Sequence, residues 1–134
     1  LHTAYRRQRQ MCIRDSYKAL QQVIFRFPDT DYAQDARLKL DLTKDHLAGK
    51  EMEIGRYYLS QNNYLSALNR FSTVVNDYQT TSHIEEALYR QVELYTILGM
   101  PDEARNAEKV LGHNYPQSKW YHKARAVLKG ETKN

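Results

Sequence analysis

The feature that most constrains this chain is a joint that recurs three times. Phe27-Pro28-Asp29-Thr30 with Ala36, Tyr78-Gln79-Thr80-Thr81 with Ala87, and Tyr115-Pro116-Gln117-Ser118 with Ala124 share one pattern. It reads aromatic, Pro or Gln, any residue, Thr or Ser, then alanine six positions later. Each part has a mechanical use: the aromatic closes one helix onto the core, the hydroxyl caps the next helix, and the alanine lets two helices approach closely. The alanines are 51 and 37 residues apart. The second interval is near the tetratricopeptide period of about 34 residues. The excess of 14 residues in the first interval is close to four helical turns, so it lengthens a helix without rotating its apolar face away from its neighbours.

Between the joints the apolar residues fall at helical spacing, and no stretch alternates with period two. The reading is therefore all-α: a solenoid of tetratricopeptide-like helical hairpins with one over-long helix over about residues 31–61. That helix contains no proline, and its glycines, Gly49 and Gly55, each cost about 1 kcal/mol against alanine. Ala33, Leu40, Leu47 and Ile54, with Ala36 and Tyr58, give it a continuous apolar stripe. At about 1.5 Å per residue it is roughly 45 Å long, and the shorter helices are expected to pack against it from both ends. Before it, Tyr17, Leu20, Val23, Ile24 and Phe27 form a stripe closed by Pro28. After it come helices carrying Tyr64 to Tyr78, Ile84 to Leu98 with Gly99 as C-cap, Ala104 to Leu111 opened by Pro101, and Trp120 to Leu128.

The segment 1–15 reads differently. LHTAYRRQRQMCIRDS carries dense arginine and no apolar stripe that continues onward, and RQMCIRDS is similar to translated sequencing adapter. The expectation is that residues 1–15 are non-native, disordered or poorly packed, with repeats over 16–129 and a polar tail over 130–134.

Length and charge limit the function classes. A chain of 134 residues is one domain or part of one. The formal charge is +4, but Arg6, Arg7, Arg9 and Arg14 against Asp15 supply +3 of it and leave +1 for the rest. A near-neutral body gives no reason to expect a nucleic-acid partner. No apolar run approaches the roughly 20 residues needed to span a bilayer. The single cysteine, Cys12, excludes an internal disulfide.

No catalytic constellation is visible, and neither a cofactor, a metal nor a small-molecule substrate is expected. The five histidines, His2, His46, His83, His113 and His122, form no HxxxH or HExxH pair. Asp29, Asp31 and Asp35 lack the glycine and terminal glutamate of a calcium loop and read as helix-start acids favoured by the dipole. There is no glycine-rich phosphate loop, and the tyrosines lie mostly on apolar stripes.

Recognition by a surface remains, and charge pairing offers a lead. Arg37 has Asp41 within one turn, Arg56 has Glu53, Arg90 has Glu86, and Arg105 has Asp102 and Glu108. Arg70 has Ser66, Ala67, Thr73 and Val74 at those spacings and therefore no carboxylate on its own helix. Arg125 shares that property. An arginine that stands clear suits a partner's carboxylate, which it can hold bidentately. The partner-binding residue expected from this reading is Arg70, with Ser66, Thr73 and Asp77 around it on the same helix.

The run DYAQDARLKLDLTKDHLAGKEMEIGRYYLSQNNYLSALNRFSTVVNDYQTTSHIEEALYR resembles the C-terminal half of the BamD family. These are tetratricopeptide lipoproteins of the outer-membrane β-barrel assembly (BAM) machinery. The similarity covers Ser16 to about Lys129 and is most specific in KDHLAGKEMEIGRYYL and in the NRF segment after it. It implies a non-enzymatic scaffold at the periplasmic face of the bacterial outer membrane, anchored through an N-terminal lipidated cysteine. Cys12 lacks the small residues of a lipobox and is not matched to that anchor. The resemblance also implies contact with other BAM lipoproteins and docking onto the periplasmic POTRA region of BamA. In the family the arginine of an Asn-Arg dipeptide pairs with BamA, and Asn69-Arg70 matches it. The alternative is another periplasmic tetratricopeptide adaptor, of the Tol-Pal or cell-division coordinator type, which would not need the four-turn insertion. A hydrolase such as a lytic transglycosylase would need a catalytic domain elsewhere in its gene.

Overall fold

The computed structural model describes the backbone of residues 2–130 and the side chains of residues 14–130. Six α-helices follow one another, and no strand occurs among the described residues. They are α1 (His2–Arg26), α2 (Asp31–Ser60), α3 (Tyr64–Asp77), α4 (Ile84–Ile97), α5 (Pro101–Asn114) and α6 (Lys119–Leu128). The expected over-long helix is present as α2, 30 residues without a break. Residues 2–15 are helical in their backbone, whereas how residues 1–13 pack lies outside the described side chains. Most of the expected polar tail, 131–134, also lies outside the described residues.

The chain divides into two compact units, Leu1–His46 and Leu47–Asn134. In the first, the Pro28 joint leads into α2 through Thr30, whose Oγ1 accepts the Ala33 amide at 3.2 Å. Ala33 and Ala36 are buried. Phe27, expected to close its helix onto the core, is instead 57% exposed. Arg37 donates through Nη2 to the Pro28 carbonyl at 3.2 Å; its expected pairing with Asp41 is not formed.

The second unit holds the core. Ala48 and Met52 of α2 pack with Ala67, Leu68, Phe71 and Val74 of α3 and with Ala87 and Leu94 of α4. A second cluster joins Ile84, Leu88 and Val92 of α4 to Ala107 and Leu111 of α5 and Ala124 of α6. The element that organises this unit is therefore α4, which packs on α3, α5 and α6, and not the long helix against which the shorter ones are expected to pack. The reason is patterning: α4 buries six residues, Ile84, Ala87, Leu88, Gln91, Val92 and Leu94, which belong to two faces. The face that α2 buries in this unit, Ala48, Met52 and Gly55, also runs one position past the expected Leu47 and Ile54. At Gly55 the face has no room for a side chain, because an added Cβ would lie 2.8 Å from the Phe71 ring.

The joints share one turn. The amides of Thr30, Thr81 and Ser118 bond to the carbonyls of Phe27, Tyr78 and Tyr115 at 3.4, 3.2 and 3.1 Å. Their alanines Ala36, Ala87 and Ala124 are all buried, as expected of contact points between helices. The hydroxyls diverge. Ser118 caps α6 by accepting the Trp120 amide at 3.2 Å, but Thr81 Oγ1 donates to the Tyr78 carbonyl at 2.8 Å and His83 stands at the N-cap of α4. Gly99, at φ +75°, ends α4 in the left-handed conformation that glycine adopts without a Cβ penalty.

Candidate docking surface on the third helix

Helix α3 is two-sided. Ala67, Leu68, Phe71 and Val74 are buried, so the 3.6-residue period turns Ser66, Asn69, Arg70, Thr73 and Asp77 to the opposite side. Asn69 and Asp77 are exposed, while Ser66, Arg70 and Thr73 are half-buried. The residues expected to bind a partner thus share one stripe. Thr73 Oγ1 donates to the Asn69 carbonyl at 3.0 Å, which ties this hydroxyl to its own helix. Ser72, just off the stripe, accepts from Gln91 Nε2 at 3.0 Å and fastens α3 to α4.

Arg70 does not stand clear. Its Nη1 donates to Glu51 of α2, at 3.1 Å to Oε2 and 3.4 Å to Oε1. The premise that singled this arginine out, a cation with no acid to hold, is corrected by that pair. The reason the sequence could not supply it is geometric: helical i±3 and i±4 spacing reports acids on one helix, and Glu51 is 19 residues away. The pair leaves part of the guanidinium available. The Arg70 side chain is 41% exposed, and its Nε and Nη2 make no hydrogen bond among the described residues. That free edge is the fork that grips a carboxylate bidentately.

A second ion network was also invisible to local spacing. Arg56, expected to pair with Glu53, instead reaches Glu86 of α4 in a bidentate grip, Nε to Oε2 at 2.9 Å and Nη2 to Oε1 at 2.8 Å. The expected Arg90 to Glu86 attraction is present at 3.5 Å, and Arg90 Nη1 also donates to Glu93 at 3.0 Å. The Arg90 Nε itself finds no hydrogen-bond acceptor; at 3.5 Å the attraction to Glu86 is coulombic. Burial opposes ionisation of Glu86, but the hydrogen bonds and charge of Arg56, with the charge of Arg90, outweigh it and hold the carboxyl below its ordinary value. The hydrogen bond to Glu86 pushes Arg56 further above its own ordinary value against a smaller burial cost. This network clamps α2, the helix that supplies Glu51, to α4. Arg105 pairs with Asp102 as expected.

Among the described residues there is no group of three or more His, Cys, Asp or Glu that could hold a metal ion. No described helix is long and apolar enough to cross a membrane. What the surface offers is polar contact and one partly engaged guanidinium.

Comparison with known proteins gives that surface a context. The family model described as YfiO, outer membrane lipoprotein, matches residues 2–111. A protein of Rickettsia prowazekii (strain Madrid E), named outer membrane protein assembly factor BamD, is 54% identical over 114 residues, which is 85% of this chain and 45% of that protein. A protein of the same name from Caulobacter vibrioides is 50% identical over 110 residues, 82% of this chain and 36% of its own length. In Neisseria meningitidis serogroup A the figures are 36% over 105 residues, 78% and 39%. The chain spans less than half the length of these curated relatives. With a family model covering most of its residues and a tetratricopeptide-like helical fold, the chain belongs to the outer membrane lipoprotein family YfiO, to which the BamD proteins are its relatives.

Proposed function

We propose that this chain is a non-enzymatic scaffold segment of the outer-membrane protein assembly machinery, working at the periplasmic face of the outer membrane. Its docking surface is the α3 stripe of Ser66, Asn69, Arg70, Thr73 and Asp77. The relatives' names as assembly factors support the setting, and the family description as outer membrane lipoprotein supports the location. The partner is the periplasmic POTRA region of BamA, with other BAM lipoproteins alongside it. The lipid anchor belongs to the whole protein.

The observation that carries the reading is the free Nε and Nη2 edge of Arg70, presented on an otherwise uncharged part of the stripe beside Asn69. Glu51 occupies only Nη1 and steadies the side chain, so a partner carboxylate can take the second edge without Glu51 leaving. A polar stripe backed by a rigid core suits a scaffold, because the cost of ordering its side chains on binding is already partly met. Calorimetric titration of the cognate POTRA domain into the wild-type chain and into Arg70→Glu tests it. Binding weakened tenfold or more by the reversal is expected, and equal affinity removes Arg70 from the interface.

A further inference from the structure

The exposed side of α6 differs from that of the other helices. Lys119, His122, Lys123, Arg125 and Lys129 at the C-cap are all exposed, and successive 100° steps place them on one arc whose only other member is Ala126. No acid lies on α6. None of Lys119, Lys123, Arg125 and Lys129 makes an ion pair among the described residues. Elsewhere the exposed charges mix signs, as in Lys39 with Asp35 on α2 and Arg105 with Asp102 on α5. The cations of α6 are held in place by aromatic rings. Lys119 and Lys123 place their ammonium groups 5.2 and 4.6 Å from the Trp120 ring centre, Trp120 packs on Tyr89 with centroids 5.4 Å apart, and Arg125 lies 5.8 Å from the Tyr121 ring. Ser118, which caps the helix, donates to Glu85 at 3.2 Å and fixes its start.

From this arrangement we propose that the outer arc of α6 is a docking face for an anionic phospholipid surface. Its four unpaired cations sit in the plane of the headgroup phosphates, with the aromatic side turned to the protein core. Three features favour a bilayer over an acidic protein. The arc is the solvent-facing side of a helix, and its exposed members are all basic or histidine side chains. It carries no apolar anchor larger than Ala126, whereas protein interfaces draw their affinity from buried aromatic and aliphatic side chains. The family is one of membrane-attached lipoproteins, so a lipid surface is within reach. A phosphate layer without defined shape is the partner that needs only unpaired positive charge, and each Lys or Arg near such a surface strengthens binding about fivefold. The face lies on α6, past residue 111 where the family match ends, and is separate from the α3 stripe.

The test is co-sedimentation of the 134-residue chain with vesicles of phosphatidylglycerol and phosphatidylcholine, against vesicles of phosphatidylcholine alone. Binding only to the anionic vesicles, weakened by added salt, is expected. The triple variant Lys119→Glu, Lys123→Glu, Arg125→Glu is expected to lose about a hundredfold or more, and the milder Lys119→Gln, Lys123→Gln pair about 25-fold. Arg6→Gln, Arg7→Gln, Arg9→Gln, which removes charge from the other basic segment, is expected to keep most of the binding. Arg70→Glu is expected to leave it intact, which separates this proposal from the docking of α3. Equal binding to neutral vesicles, an unaffected α6 triple variant, or loss through the Arg6 variant instead would overturn it. So would capture of a poly-glutamate peptide by the same face more tightly than vesicles at equal salt, which assigns the arc to an acidic protein.

Discussion

The guanidinium of Arg70 on α3 is held by the carboxylate of Glu51 on α2 at 3.1 Å through one of its two edges. The pair fastens two helices and still leaves a hydrogen-bonding edge to spare. Pairing inside the chain and pairing with a partner thus compete only in part.

Glu51→Gln therefore separates the two roles. A half-buried pair of this kind, with one partner partly open to solvent, contributes about 1 kcal/mol or less to stability, so urea denaturation should place the variant close to wild type. Removing the internal acid leaves Arg70 with its full charge, so affinity for a POTRA domain should rise or hold. A fall in affinity would mean that Glu51 positions the arginine and is needed there.

Arg56→Ala should cost much more than loss of Arg70. It strips two charge-assisted hydrogen bonds from Glu86, whose side chain is 14% exposed, and leaves a half-buried carboxylate with Arg90 as its remaining cation. A loss of about 2–3 kcal/mol is expected by chemical denaturation.

The same network fixes a pH dependence. Because the folded Glu86 carboxyl is held below its ordinary value, its stabilisation is complete above the unfolded value, about 4.3, and is lost as pH falls through the lower folded value. Glu86→Gln should be less stable than wild type at pH 7, and the gap should shrink below about pH 4. Denaturation midpoints followed by circular dichroism at both pH values measure this; a gap that widens in acid would contradict the sign.

Gly55→Ala places a methyl group 2.8 Å from Cε1 and Cζ of Phe71. Phe71 is fully buried, so the ring has no free space to move into, and overpacking should cost about 1–3 kcal/mol although alanine favours the helix. At Gly99, where the added Cβ meets nothing, the cost comes from φ +75° alone. A thermal midpoint at or above wild type for Gly55→Ala would show that the helices separate easily.

Much of this architecture was legible in the chain. The joints at Pro28, Thr81 and Pro116, the stripe of α3 and the glycine that ends α4 are local signals, and all three alanines of the repeated joint are buried. Gly55 was legible only as a tolerated cost, since nothing in α2 announces that an aromatic ring from α3 lies against it. Phe27 carries the same joint pattern as Tyr78 and Tyr115 yet is exposed, because burial depends on what a neighbouring helix brings, and the pattern describes only the turn.

From Tyr17 onward, the helical spacing of apolar residues determined by itself which segments are helices, roughly where they end, and which side of α3 faces outward. These follow from backbone geometry, whose period is written into every turn. The helical backbone of residues 2–15 was not legible in that spacing. Tertiary structure alone decided that Arg70 meets Glu51, that Arg56 meets Glu86, and that α4 is the hub of the core. Contacts between charges far apart in sequence depend on how helices are set against one another, and a period of 3.6 residues carries no information about that.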